Sequence, residues 1–128
     1  MVHTGDVDIE TFGEWVAEAI SSLPEKFADK LQNVEILVED WPDPQAMRAA
    51  GVNHRMDLLG LYWGVPLTER TQGYNLVAPD KISIYRLPII EHCRTRAEVR
   101  QMIRKVVRHE VAHYFGITDE RLHELGAY

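Results

Sequence analysis

Residues 109–119, His109-Glu110-Val111-Ala112-His113-Tyr114-Phe115-Gly116-Ile117-Thr118-Asp119, open with two imidazoles and a carboxylate, His109, Glu110 and His113, at a spacing that a helix turns into a cluster. Side chains four apart stand one above the other on an α-helix, so His109 and His113 can aim ring nitrogens at one point, as a tetrahedral Zn²⁺ requires of two ligands. Glu110 lies about 100° round the same side. From there it reaches a water beside a metal but is badly placed to join the same coordination plane, which is the arrangement of a general base. Glycine just past a helical run is the usual left-handed terminator, so Gly116 is expected to turn the chain and bring a side chain three residues on back toward the metal. Asp119 occupies that position. A zinc-dependent hydrolase is the reading these residues favour.

Coincidence is a weak competitor. Chance places H-E-x-x-H in on the order of a few in a thousand chains of this length, and the fixed offsets of Gly and Asp lower that by roughly two more orders of magnitude. Asp119 has a second explanation, because an acid in the first turn of a helix is favoured by the dipole. His123, Glu124 and Glu120 compete with it as third ligand. His123 is chemically the best of these but needs a further helical turn to point back, and Glu124 suits an acceptor behind a ligand.

Working upstream, Thr95-Arg96-Ala97-Glu98 reads as a capping box, and from there to Gly116 neither proline nor glycine interrupts a helical pattern. With His109 at zero degrees, Val99, Met102, Ile103, Val106 and Val107 share its half-turn with Glu110 and His113. The apolar stripe therefore runs into the site, burying the metal-bearing turn against the core and fixing the imidazole rotamers. Arg100, Arg104 and Arg108 fall on the other side at i, i+4 spacing, and are expected to be a solvated face paired with some of the twenty acids.

The remaining punctuation is clear. Thr11-Phe12-Gly13-Glu14 looks like a capping box, followed by Trp15, Val16, Ala19, Ile20 and Leu23 at helical spacing until Pro24. Asn33–Glu39 alternates Val34, Ile36 and Val38 with polar residues and predicts a strand. A short helix over Gln45–Ala50 closed by Gly51, and a second strand over Leu58–Trp63 with Gly60 inside it, follow. Residues 64–80 hold two prolines and two glycines and read as a long loop. Ile82–Leu87 alternates well, and Pro88 after it suggests a strand at or near a sheet edge, able to pair with an extended peptide. After Gly116, Thr118 is a plausible N-cap of a last helix that Gly126 closes.

At 128 residues the chain has the length of a single domain, 1–128, that buries a core without staples. A net charge of −6 argues against nucleic acid or an anionic membrane as partner. No apolar run approaches a membrane span. Cys93 alone cannot form an internal disulfide, and the acidic N-terminus MVHTGDVDIE lacks an apolar h-region, so a cytoplasmic protein is expected. Cys93 beside His92 reads as a small buried hydrophobe ahead of a metal pair. A sheet edge and exposed aromatics leave room for a homodimer.

Four segments in order, LPEKFADKLQNVEILVED (23–40), LLGLYWGVPLTER (58–70), PDKISIYRLPI (79–89) and HEVAHYFGITDERLHELG (109–126), resemble the minimal zincin-like metallopeptidase domains of bacteria. That is an Asp-zincin group with the pattern H-E-x-x-H-x-x-G-x-x-D. The resemblance covers roughly Leu23 to Gly126. It implies a small α+β, zincin-like domain whose mixed sheet packs on a long active-site helix, with Zn²⁺ bound by His109, His113 and Asp119 and with Glu110 as base. Larger metzincins carry a methionine turn beneath the metal, downstream of the third ligand. The four methionines here, at 1, 47, 56 and 102, are all upstream, which leaves Tyr128 as the candidate floor of the site by position.

The expected reaction is hydrolysis of a peptide or protein substrate by zinc-activated water, Glu110 taking the proton and returning it to the leaving amine. Tyr128, Tyr114, His123 and Arg121 each qualify as the oxyanion donor. A second class of function keeps the zinc turn as a catalytically weak or inactive interaction module, since a short chain has few residues to wall a cleft. A third, a structural domain without metal, predicts no zinc in protein purified without chelators.

Overall fold

The computed structural model describes residues 6–31, 33–64, 80–118 and 120–121. Along these residues the elements run α1 (Ile9–Ser21), α2 (Glu25–Ala28), β1 (Val34–Glu39), α3 (Pro44–Ala50), β2 (Gly60–Trp63), β3 (Asp80–Tyr85), α4 (Arg86–Glu91) and α5 (Arg96–Tyr114). Short 3₁₀ turns occupy Asp29–Leu31 and Arg55–Asp57.

Side-chain caps decide where α1, α3 and α5 begin. α1 starts ahead of the expected Thr11 box, because the Asp8 carboxylate accepts the Thr11 amide at 2.7 Å. A carboxylate cap satisfies an orphan N–H and complements the dipole at once, which a threonine hydroxyl cannot do. In α3, Asp43 accepts the Ala46 amide at 2.8 Å and Gly51 ends the helix at φ +72°. Thr95 caps α5 as expected, its Oγ1 accepting the Glu98 amide at 3.1 Å, and Glu98 Oε2 accepts the Arg94 amide at 2.8 Å. At the other end Gly116 adopts φ +81°. Its amide donates to the His113 carbonyl and the Ile117 amide to the Ala112 carbonyl, both at 2.9 Å. This paired closure turns the backbone sharply just after His113.

The sheet has the order β1-β3-β2, with β3 parallel to β1 and antiparallel to β2. The strand expected at an edge is therefore the central one. Pro88 does not interrupt any ladder: it lies in the first turn of α4, where its missing N–H costs nothing. Among the described residues the edge nearest α5 is β2.

One face of the sheet, with Val34, Ile36, Val38, Ile82, Ile84 and Tyr62, packs on α1 through Phe12, Val16 and Ala19 and on α5 through Val99, Ile103, Val106 and Val107. The other face sets Leu61, Trp63 and Tyr85 against Ala46 and Ala50 of α3 and against Leu58. Burial pushes the Tyr85 phenol up to about 12. Glu18 of α1 binds Arg100 and Arg104 of α5 at 2.6 and 2.9 Å, so those two residues are the solvated, paired face that was expected. Arg86 ties the start of α4 to Asp40 at 2.7 Å and to the Val7 carbonyl at 2.8 Å. Cys93 is buried as a small hydrophobe, and His92 beside it is exposed. No helix among the described residues is long and apolar enough to cross a membrane. The architecture is α+β, a small mixed sheet packed against the long helix α5.

Candidate metal centre

The apolar stripe of α5 sets the orientation of its last turns. Val99, Ile103, Val106 and Val107 are buried against the sheet, and their phase carries Glu110 inward to 5% exposure while leaving His109 and His113 half-buried at the margin. His109, Glu110 and His113 each offer a ligand atom, and these atoms lie within 4.8 Å of one another. The two imidazole rings meet edge to face with centroids 4.5 Å apart. No other group of three such residues gathers among the described residues.

A carboxylate this deeply buried must recover its lost hydration. Glu110 does so through Oε1, which accepts the main-chain amide of Tyr62 at 3.0 Å and lies 3.4 Å from His113 Nδ1. The Tyr62 amide is available because of the ladder's alternation. Tyr85 donates to the Leu59 carbonyl at 3.0 Å, so Leu59 and Leu61 bond toward β3 while Gly60 and Tyr62 present their main-chain groups to the opposite edge.

Gly60 lets β2 come this close. A Cβ built there would stand 2.6 Å from Val106 Cγ1 and 3.3 Å from Glu110 Cγ. Tyr62 is held in turn by its own side chain, whose hydroxyl donates to Asp80 Oδ2 at 2.7 Å and whose ring meets Tyr114 edge-on at 5.8 Å. Asp80 is 3% exposed. Sequence reasoning singled out neither Tyr62 nor Asp80. Gly60 inside a strand was the available signal, since glycine there marks a close backbone approach.

Asp119 and Tyr128, the expected third ligand and site floor, lie outside the described residues, as do the competing His123 and Glu124. Of the residues weighed as oxyanion donors, Tyr114 gives its hydroxyl proton to the Lys30 carbonyl at 3.1 Å. Thr118 accepts the Arg121 amide at 3.2 Å, the cap expected for the segment after Gly116.

The donor set fits a zinc ion. Two imidazoles converge from successive turns, a buried carboxylate adjoins them, and catalytic zinc sites combine such nitrogen ligands with a third group and an open position. No curated protein matches the chain. The family model described as zincin-like metallopeptidase matches residues 31–127, which takes in every strand of the sheet and all of α5. The chain belongs to the zincin-like metallopeptidase family.

Proposed function

We propose that the chain is a zinc-dependent peptidase, with His109 and His113 holding the metal and Glu110 serving as general base. The observation that carries this reading is Glu110 itself, a carboxylate 5% exposed, beside two converging imidazoles and hydrogen-bonded by a strand amide. A structural acid on a helix surface would have neither the burial nor the partner. The Gly116 reversal supports Asp119 as the third ligand, since it turns the chain just past His113.

When bound, zinc would supply Lewis-acid polarisation of a carbonyl and activation of a water. The rest of the reaction belongs to the protein. His109 and His113 orient the site from successive turns of one helix. Glu110 takes the proton from the attacking water and hands it to the leaving amine, so one carboxylate is base and then acid. The low-dielectric wall of Val106 and the sheet strengthens each of these electrostatic contacts. β2 is the strand beside the metal helix, and an extended peptide pairing with main-chain groups of its outer edge other than the Tyr62 N–H, which Glu110 takes, would bring a scissile bond over the site with little demand on side chains. That is the role first expected of the strand at Ile82.

The test compares wild type and Glu110→Gln on a peptide library, with zinc content measured in both. Cleavage by wild type and its loss in Glu110→Gln at unchanged zinc supports the reading, and equal cleavage by the two removes Glu110 from the base role. Zinc bound at stoichiometry with no cleavage by wild type would make the chain a metal-binding interaction module.

A further inference from the structure

Among the described residues Glu110 is the only acid in the metal cluster, and from α5 itself its carboxylate has only the loose approach of His113 Nδ1, 3.4 Å from Oε1. A glutamate has three rotatable side-chain bonds, and a base must hold its oxygen within a fraction of an ångström of the proton it takes. The contact that removes this freedom comes from another element, 48 residues away in sequence: the Tyr62 amide on Glu110 Oε1.

We infer that Tyr62 is the positioning residue of the Glu110 carboxylate, acting through its main-chain N–H, with Gly60 and Asp80 fixing where that N–H stands. This rests on the reading of Glu110 as the base. Three independent constraints locate the amide. Gly60 brings β2 against α5, because any Cβ there would meet Val106 Cγ1, the Ser83 carbonyl oxygen and Glu110 Cγ at 2.6, 3.2 and 3.3 Å. The β2–β3 register sets Tyr62 opposite Ile82 and turns its N–H outward. The Tyr62 phenol donates to Asp80 Oδ2 at 2.7 Å, closing a second tie between the same two strands.

The division of labour on Glu110 follows. An N–H donated to Oε1 at 3.0 Å pins that oxygen. The second oxygen, Oε2, is then held in a defined direction by the planarity of the group and is the one left to take a proton. Positioning through a main-chain donor also explains why sequence reading cannot see it: any residue at 62 except proline carries the same N–H. The identity of Tyr62 matters through its phenol, one step further back.

The experiment replaces the Tyr62 amide nitrogen by an ester oxygen, which deletes the donor and leaves the phenol, the ring and the strand's outward side chains in place. The expected result is a fall in kcat of roughly tenfold or more, the scale of a lost hydrogen bond to a charged group, with KM and zinc content within about twofold of wild type. Tyr62→Phe and Asp80→Asn should lower kcat by a smaller factor in the same pattern. A merely structural role predicts instead that kcat, KM and zinc content decline together or not at all, and either result in the ester variant overturns the inference. Hydrogen exchange of the Tyr62 amide in zinc-free protein supplies a readout that needs no turnover. This amide should exchange slowly in wild type and roughly tenfold faster or more in Glu110→Ala, while the Leu61 amide, bonded toward β3, is unaffected. Unchanged exchange at Tyr62 in Glu110→Ala overturns the inference. If wild type cleaves no peptide, the peptidase reading fails and the exchange measurement alone decides the positioning role.

Discussion

Gly60 of β2 and Val106 of α5 touch with no space for a side chain between them: a Cβ at residue 60 would lie 2.6 Å from Val106 Cγ1. Gly60→Ala should therefore cost about 1–3 kcal/mol, the usual range for overpacking a filled core. Shortening the opposing residue should relieve it. In the double variant Gly60→Ala/Val106→Ala the two losses should sum to less than the separate values, by at least about 0.5 kcal/mol in a urea-denaturation cycle. Strict additivity would show that the strand and helix yield without that contact mattering.

His113→Ala should lose stoichiometric zinc when purified without chelators, while Arg104→Gln, changed on the solvated side of the same helix, keeps it. Metal analysis of the two proteins decides the point. Removing one ligand from a site of this kind leaves the remaining imidazole and carboxylate too few donors to hold the ion tightly. Full zinc occupancy in His113→Ala would require a different ligand set.

Two exposed carboxylates make stability sensitive to acid. Hydrogen bonds from Arg100 and then Arg104 hold Glu18 below its ordinary 4.5, and the Thr11 amide on Asp8 holds that cap below 3.8. A depressed native value means the unfolded chain binds protons first as pH drops, so the stabilisation is complete above these ordinary values and is lost as pH falls through the native ones. Thermal midpoints measured from pH 6 downward should decline, and the decline should be shallower in Glu18→Gln and Asp8→Asn. An identical slope in both variants would assign the acid sensitivity elsewhere.

Cys93 is 2% exposed, and burial, with Glu98 nearby, pushes its thiol up from the ordinary value. Both effects suppress the thiolate that reacts with alkylating or disulfide reagents. Native protein at pH 8 should react with a thiol reagent at least about tenfold more slowly than the urea-unfolded chain, with one equivalent consumed after unfolding. Fast native labelling would mean that the region between α4 and α5 opens readily.

Much of the local framework was legible along the chain. Thr95, Gly51 and Gly116 announce helix ends because capping is short-range chemistry, and the stripe Val99–Ile103–Val106–Val107 announces which side of α5 faces inward because helical phase is a property of the segment alone. The cluster of His109, Glu110 and His113 follows from that phase and a spacing of four. Less was legible where a choice depended on partners. The Thr11 box looked sufficient for α1 until Asp8, placed to receive the Thr11 amide, took the cap. Pro88 argued for a sheet edge, but a proline only forbids a ladder bond at its own nitrogen and does not say which strands flank the preceding residues.

The sequence by itself determined the helix that bears the site, the residues on its inner face and the donor types available to a metal, because each is set by contacts within a few residues of chain. Tertiary structure alone decided that β3 is central, that β2 is the strand beside Glu110, and that the Tyr62 amide reaches its carboxylate across 48 residues. Those outcomes depend on strand order and on the closeness of Gly60 to Val106. Neither is encoded by periodicity, since every residue but proline offers the same main-chain N–H and only packing selects which one is used.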